Sequence, residues 1–209
     1  TLQRSSSITR QRTELTSIET TGGRLVSCQT QMSDGTAEKI TAGRVHNGRL
    51  TITTTIAGSQ QQTSIPWQVE WRGFFGVEES LRSQPLKPGE KRKLVVLAPV
   101  LMQPANIELV AGDYEPTTLA AATQTLLKID RADQLQVANG QTLTIKSTIW
   151  ADQDGRILKT LLPGLGLEEY RTSRGHALAK IGSRPFDINA SFSIRLKRTV
   201  PDPHATRRV

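Results

Sequence analysis

The stretch Thr148-Ile-Trp-Ala-Asp-Gln-Asp-Gly-Arg-Ile-Leu-Lys-Thr160 decides the fold of this chain. An apolar strand ends at Trp150, a polar turn follows over 152–155, and a second strand begins at Arg156. The Asp154-Gly155 pair supplies the positive φ that tight hairpin turns require, and the flanking apolar residues strengthen the hairpin signal. Such a hairpin organises a fold but carries out no chemistry.

Other segments show the alternating pattern of strands. Over 49–56, apolar residues alternate with threonines, which indicates an antiparallel sheet with one face in water. The same alternation recurs over 188–197, and one long, half-exposed strand is predicted within 1–20. Shorter strand signals lie over 24–32, 37–42, 91–97, 105–111 and 141–150, with turns predicted at Gly and Asn-Gly positions and at Asp34-Gly35. Segments 114–121 and 123–130 are predicted to pair as strands, although the run of alanines between them leaves a helix as the alternative.

Two short helices are predicted between the strands. Val77 and Leu81 are four residues apart, which predicts a first helix over 77–83. Pro85 ends this helix. Ser173 is a suitable N-cap for a second helix over 174–181. Because strands and helices do not alternate regularly, a parallel α/β sheet is not expected. We predict a mainly β fold of about ten strands, one domain over 1–200, and a polar tail over 201–209.

Composition sets the broad class of the protein. The chain has 209 residues, a net charge of +8 and one cysteine, so an internal disulfide is impossible. Residues 1–12 carry +3 and residues 195–209 carry +4, so the body between them is almost neutral. Aromatic residues make up 4% and no nucleic-acid motif is present, so we interpret the basic ends as solvated and predict no nucleic-acid partner. We also predict no membrane span, because no apolar run is long enough.

The residues that could carry chemistry do not form a recognisable set. His46, His176 and His204 are too far apart in sequence to form a metal site with one another. Cys28 lies within a predicted strand, where a small buried side chain is more usual than a nucleophile. We therefore predict no catalytic residue, no metal and no cofactor.

Acidic pairs and glycines have simpler interpretations than chemistry. Asp152 and Asp154 are expected to satisfy backbone N–H groups in their turn. The neighbours Glu78-Glu79 and Glu168-Glu169 are interpreted as solvated carboxylates. Gly164-Leu-Gly166 lacks the Lys-Ser/Thr and the following helix of a phosphate-binding loop, so turn glycines are the better interpretation.

Three runs carry a resemblance to a known family. They are Ser83-Gln-Pro-Leu-Lys-Pro-Gly-Glu-Lys-Arg92, Trp150-Ala-Asp-Gln-Asp-Gly-Arg-Ile-Leu-Lys159 and Leu165-Gly-Leu-Glu-Glu-Tyr-Arg-Thr-Ser173. These runs resemble the N-terminal region of exported bacterial transglutaminase-like proteins, whose papain-like Cys-His-Asp core lies further downstream. The tail Pro203–Val209 resembles the lead-in to that core. His176 stands where the resemblance would place an acidic residue.

The order of features is also similar to that of uncharacterised bacterial envelope domains. These carry a Pro-Leu-x-x-Gly turn after a short helix and a late Trp-x-Asp-x-x-Gly hairpin, and they are related in fold to the periplasmic lipoprotein-localisation factors. The resemblance implies one strongly curved antiparallel sheet, a half-barrel with a concave groove. We expect the aromatic residues to line or rim that groove: Trp67, Trp71, Phe74, Phe75 and Trp150.

Three functional hypotheses follow. The first is a non-catalytic domain of the periplasm or cell envelope that positions, or presents substrate to, a downstream core of the same polypeptide. The second is a carrier that binds a lipid, lipoprotein or other apolar ligand in the concave face. The third is a hydrolase that uses Cys28 with a distant histidine. Because the chain begins at Thr1 without a signal peptide, the first hypothesis expects a processed or trimmed protein.

Overall fold

The computed structural model describes residues 12–33, 37–120, 122–137 and 140–178. These residues form eleven strands and two short helices, and all belong to one compact unit. In chain order the elements are β1 (Arg12–Glu19), β2 (Leu25–Ser33), β3 (Glu38–His46), β4 (Arg49–Ile56), β5 (Ser59–Pro66), α1 (Gly76–Ser83), β6 (Lys91–Ala98), β7 (Gln103–Thr118), β8 (Thr123–Gln136), β9 (Thr142–Ala151), β10 (Ile157–Leu162), β11 (Leu167–Tyr170) and α2 (Arg174–Leu178).

The strands form two antiparallel sheets. The first has the order β1-β2-β3-β4-β5 and the second the order β11-β10-β9-β8-β7-β6. The prediction of a mainly β, antiparallel fold with two short helices is therefore confirmed. The prediction of one strongly curved half-barrel sheet is wrong, because there are two sheets and neither closes on itself. The reason lies in the segment 67–90, which inserts α1 between β5 and β6 and so stops the hydrogen-bond ladder at β5.

Among the described residues, backbone pairing between the two sheets runs through Arg72. The Arg72 N–H donates to the Val95 carbonyl (3.0 Å), and the Leu97 N–H donates to the Arg72 carbonyl (2.9 Å). Arg72 also forms an isolated antiparallel bridge with Arg24, at the start of β2. This backbone pairing between the sheets is thus one residue wide.

The first sheet is a meander of five strands, one more than its sequence signals indicated. The additional strand is β5, Ser-Gln-Gln-Gln-Thr-Ser-Ile-Pro, which is exposed along almost its whole length. It has no apolar alternation, since only Ile65, near its end, packs against a core. The turn before it fixes the hairpin, because Ala57 (φ 49°) and Gly58 (φ 82°) adopt the paired positive φ angles of a tight turn.

The second sheet contains longer strands than predicted. Segments 105–111 and 114–118 belong to one strand, β7, with a register shift between Ala111 and Tyr114. The strand then turns back at the Thr118–Thr123 pair, as the predicted pairing of 114–121 with 123–130 required. A β-bulge keeps such a pair of strands continuous while changing the direction of its side chains.

The first core lies on one face of the second sheet. We call this face the helix face, because α1 packs on it. Val77 and Leu81 of α1, together with Leu86, pack there against alternate residues of β6–β9. A fully buried leucine such as Leu81 contributes about 1.5–3 kcal/mol relative to an exposed one. The helix-face residues of this core include Val96, Ile107, Leu109, Ile129 and Ile149. The protein's own side chains therefore fill the part of this face that lies under α1.

The second core joins the first sheet to one end of the second. The first sheet contributes Leu25, Cys28, Leu50 and Ile52. They pack with Leu97 of β6, with Met102 in the β6–β7 connection and with Trp67. The Thr30 hydroxyl also donates to the Pro99 carbonyl (3.0 Å). The two sheets are thus held together by side-chain packing more than by backbone pairing.

The β9–β10 hairpin forms where the sequence placed it. Its loop runs from Asp152 to Arg156, and Gly155 has a φ of 74°. The Asp152 Oδ1 accepts hydrogen bonds from the N–H groups of Asp154 (3.0 Å) and Arg156 (2.8 Å). The hairpin also contacts the helix, because a methyl group at Gly155 would overlap the Leu81 carbonyl.

Several sequence predictions lie outside the described residues. They are the strand over 188–197, the domain boundary at residue 200, the tail over 201–209, the turn at Asp34-Gly35, and the end of the second helix beyond Leu178. Within the described part, α2 begins at Arg174 as predicted. Ser173 accepts a hydrogen bond from the His176 N–H at its Oγ (3.3 Å), which is the expected N-cap geometry.

Candidate functional site

The five aromatic residues that were predicted to line one groove lie in three places. Trp67 is buried in the second core and packs edge-to-face against Trp71, with ring centroids 5.3 Å apart. Trp71 and Phe74 pack against the same core and are only partly buried. Phe75, by contrast, is 50% exposed.

Trp150 lies on the face of the second sheet opposite the helix face. Its indole N–H donates to Glu115 (2.7 Å), and the Lys159 ammonium lies 5.1 Å from its ring centroid. Lys159 also faces the Tyr170 ring at 5.2 Å and pairs with Glu168 at 3.3 Å. Burial opposes the charge of Lys159, but hydrogen bonds with Glu168 and Tyr170 outweigh it and raise the pKa of the amine. This cluster ties β9, β10 and β11 together around Trp150, which is buried.

Phe74 and Phe75 line an open groove of about 550 Å³, which we call the Phe75 groove. One wall is the start of α1, and the other is formed by β10, β11 and the residues after β11. The lining residues are Phe74, Phe75, Val77 and Glu78 on the first wall, and Arg131, Ile157, Leu158, Lys159, Thr160, Glu169, Tyr170, Arg171, Thr172 and Ala177 opposite. Its size is that of a ligand or peptide site.

The start of α1 presents Phe75 at this groove for a local reason. Phe75 is the N-cap of α1, and its side chain makes no capping hydrogen bond. Glu78 and Glu79 follow in the first turn, where carboxylates interact favourably with the helix dipole. An exposed phenylalanine therefore lies next to the positive end of a short helix.

Charged side chains on the far wall are mostly paired. Arg171 forms an ion pair with Glu78 across the groove. Arg131 makes a two-pronged ion pair with Asp133, with both N–O distances 2.6 Å. The Glu169 carboxylate also lines the groove. The site thus combines an apolar anchor with fixed polar groups, a combination suited to binding and orienting a ligand.

Cys28 is not placed to act as a nucleophile. Its side chain is buried in the second core, and burial raises the pKa of the thiol to about 11, although a hydrogen bond with the Gly43 backbone partly offsets this. Cys28 pairs with Gly43, and His46 is three residues further along β3. Since side chains alternate between faces, His46 points to the opposite side of the sheet. The geometry therefore gives the Cys28 hydrolase hypothesis no support.

No other chemical centre is formed by the residues that the structure describes. Among them, no group of three or more His, Cys, Asp or Glu side chains could hold a metal ion. His46 and His176 are both exposed, and His204 lies outside the described residues. Asp152 satisfies backbone N–H groups as expected, whereas Asp154 contacts Arg156 in an exposed ion pair at 3.6 Å. Over the described residues, no helix is long and apolar enough to cross a membrane.

The polar wall of the Phe75 groove was not predicted. The sequence pattern indicates solvated carboxylates at Glu78 and Glu169, and it assigns no role to Arg131 or Arg171. No local signal could have found them, because the groove depends on the register that brings β8, β10 and β11 beside α1. The adjacent phenylalanines at 74 and 75 were the one feature of the sequence that indicated a binding groove here.

Comparisons with known proteins add little. No protein-family model matches this chain, and no curated protein matches it. Among solved structures, the chain is similar to the crystal structure of a DUF1089-family protein from Pseudomonas aeruginosa. The two share 12% identity, and the alignment covers 82% of this chain and 96% of the other, with a TM-score of 0.35. A likeness at this level carries no argument about function.

Proposed function

We propose that this chain is a non-catalytic binding domain that holds an extended polypeptide segment in the Phe75 groove. The observation that carries the proposal is the half-exposed Phe75 at the edge of an open groove of about 550 Å³, beside a helix face that is otherwise filled under α1. An exposed aromatic residue in a groove is the usual anchor for a partner's side chain.

The walls of the groove favour a peptide over a compact polar metabolite. Phe75 offers an exposed apolar contact, whereas the ion-paired Glu78 and Arg171 and the Glu169 carboxylate offer hydrogen-bonding groups. In addition, β11 is the outermost strand of its sheet among the described residues, and it lies along this groove. An extended peptide can pair with such an edge while it places alternate side chains in the groove.

The wider role follows from the sequence resemblance. We infer that the domain presents the bound segment to a transglutaminase-like or protease-like core further along the same polypeptide, in the periplasm or cell envelope. Support comes from the three runs over 83–92, 150–159 and 165–173 that resemble the N-terminal region of such proteins. Chemistry would then belong to the downstream core.

One observation favours the second hypothesis, an apolar-ligand carrier. Leu143 and Ile145 of β9 share the helix face with Ile149, yet they are 44% and 41% exposed. Leu167 of β11 lies on the same face and is 40% exposed. Exposed apolar side chains that are grouped in this way mark an interaction surface. A lipid could cover this part of the face, beyond the area that α1 fills.

Site-specific photo-crosslinking tests the proposal. Phe75 is replaced by p-benzoylphenylalanine, and the purified full chain is irradiated with reduced, carboxymethylated α-lactalbumin as an unfolded polypeptide. The matched control carries the same amino acid at Val100, which is 53% exposed but lies in the β6–β7 connection. We expect an adduct from position 75 at about ten times the yield from position 100.

Two results would overturn the proposal. Equal yields from positions 75 and 100 would show that the groove has no preference for polypeptide. Organic extraction and mass spectrometry of the natively purified chain provide the second arm. A stoichiometric lipid in the extract, without a crosslink at position 75, would favour the carrier instead.

A further inference from the structure

The opposite edge of the second sheet contains a second open surface. β6 pairs with β7 on one side only, and on its other side Arg72 bonds to Val95 and Leu97. Backbone groups along a strand alternate in direction. The Val95 N–H and both backbone groups of Lys93 therefore point to the same side as the Arg72 contact, and no partner for them occurs among the described residues.

This edge opens into a groove of about 550 Å³, which we call the β6-edge groove. Its floor is the segment 92–95, and its walls are the second half of α1 and the loop 68–72. The lining residues include Glu70, Trp71, Arg72, Ser80, Arg92 and Lys93. The groove and the Phe75 groove involve opposite edges of the sheet and share no lining residue.

The charge of the β6-edge groove is positive. Arg72 and Arg92 line it against one carboxylate, that of Glu70, and Lys93 follows Arg92 with its side chain on the opposite face of the sheet. Over the described residues, no carboxylate lies within ion-pair distance of Arg72 or Arg92. Lys93 has only a 3.7 Å contact with Glu108, and its side chain is 80% exposed. Arginines without a carboxylate partner at the edge of a strand attract an anionic segment.

Arg92 is held rigidly at this edge. Its guanidinium donates to the carbonyls of Ser80 (2.7 Å) and Gln84 (2.7 Å) at the end of α1. Burial lowers the pKa of this guanidinium; Glu90 partly offsets the effect, and the nearby Arg72 cation lowers the pKa further. A carboxylate placed between the two arginines would relieve that repulsion.

We infer that the β6 edge binds an extended acidic peptide as an added β-strand. The free backbone groups of Lys93 and Val95 supply the main-chain hydrogen bonds, and Arg72, Arg92 and Lys93 select acidic side chains. Pairing with a second copy of this chain is disfavoured, because it would bring Lys91 and Lys93 against their own equivalents. The inference is independent of the Phe75 groove.

Isothermal titration of the full chain with two peptides of opposite charge tests the inference. The probe is acetyl-Glu-Val-Glu-Val-Glu-Val-Glu-amide, and the control is the same peptide with lysine in place of glutamate. We expect binding of the acidic peptide alone, weakened as salt screens the charges between 0.05 and 0.5 M.

Two substitutions at one residue separate backbone pairing from charge. Lys93→Pro removes an outward N–H that no β7 residue uses, so it should reduce affinity about tenfold or more. Lys93→Ala keeps that N–H and should reduce affinity only a few-fold. Hydrogen exchange of the Lys93 and Val95 amides in the unaltered chain gives a readout that does not depend on the proline variant folding, and both amides should become protected.

Four results would overturn the inference. They are equal binding of the two peptides, equal affinity of the Lys93→Pro and Lys93→Ala variants, unchanged exchange of both amides at saturating peptide, and no binding at millimolar peptide. Concentration-dependent dimerisation through β6, seen by sedimentation and abolished by Lys93→Pro, would replace the peptide with a second copy of the chain.

Discussion

At the scale of single residues, Cys28 links burial to alkaline stability. Because its thiol pKa is raised from 9 to about 11 in the fold, the folded state retains the proton over that range while the unfolded state loses it. The buried, protonated thiol therefore contributes fully to the free energy of unfolding below about pH 9, and this contribution is lost as pH rises through about 11. The loss approaches about 1.4 kcal/mol per pH unit between these limits, or roughly 2–3 kcal/mol in all.

Urea unfolding at pH 8, 9.5 and 11 checks this prediction. Between pH 8 and 11, the free energy of unfolding of the unaltered chain should fall by roughly 2–3 kcal/mol more than that of Cys28→Ala. Other titrating groups contribute equally to both proteins. Iodoacetamide should also label the native chain slowly at pH 7.5 and rapidly in urea. Parallel stability curves together with fast native labelling would show that the thiol is not buried.

Asp152 and Asp154 offer a matched pair in the β9–β10 loop. Asp152 accepts two backbone hydrogen bonds, whereas Asp154 makes only an exposed ion pair. Asp152→Ala should therefore lower the free energy of unfolding by about 1–2 kcal/mol, and Asp154→Ala by less than about 0.5 kcal/mol. Urea denaturation of the two variants measures the difference, and equal losses would contradict the assigned hydrogen bonds.

At the scale of elements, the hairpin and α1 depend on one another. Gly155 has a positive φ, and any side chain there would meet the Leu81 backbone, which cannot move without shifting α1. Gly58 has a similar φ of 82°, with no atom near the position of a Cβ. Gly155→Ala should lower the free energy of unfolding by about 3–5 kcal/mol, because backbone strain at positive φ and overpacking against Leu81 add. Gly58→Ala should lower it by about 1–2 kcal/mol, from the backbone strain alone.

Thermal unfolding followed by circular dichroism distinguishes these two glycine variants. Both should remain mainly β, but the melting temperature of Gly155→Ala should fall by several degrees more. If the two variants melt together, the contact between the hairpin and the helix contributes nothing to stability.

The elements that the sequence predicted well are those whose structure is determined by residues within the element itself. The β9–β10 hairpin has its Asp and Gly residues in the turn, and β4 alternates because one of its faces is buried. β5 was missed because an exposed edge strand needs no apolar pattern, only a neighbour and a suitable turn. The continuity of β7 through its bulge was missed because residues 112–113 interrupt the alternation.

At the scale of the whole molecule, the sequence could not show that there are two sheets. Strand signals do not say which strands pair, and the break depends on the loop around Arg72 meeting β6. The candidate site was missed in part for the same reason. Phe75 was visible as an aromatic residue, but Arg131 and Arg171 reach the groove only through the order of strands in the second sheet.

The central claim is that the domain holds an unfolded polypeptide in the Phe75 groove and leaves it chemically unchanged. Amide chemical shifts of the full chain, recorded while reduced, carboxymethylated α-lactalbumin is added, test it most directly. We predict changes concentrated at 74–78, 157–160 and 169–172, with the mass of the added polypeptide unchanged. Unmoved groove amides, with changes concentrated around Cys28 or a cleaved polypeptide, would contradict the account.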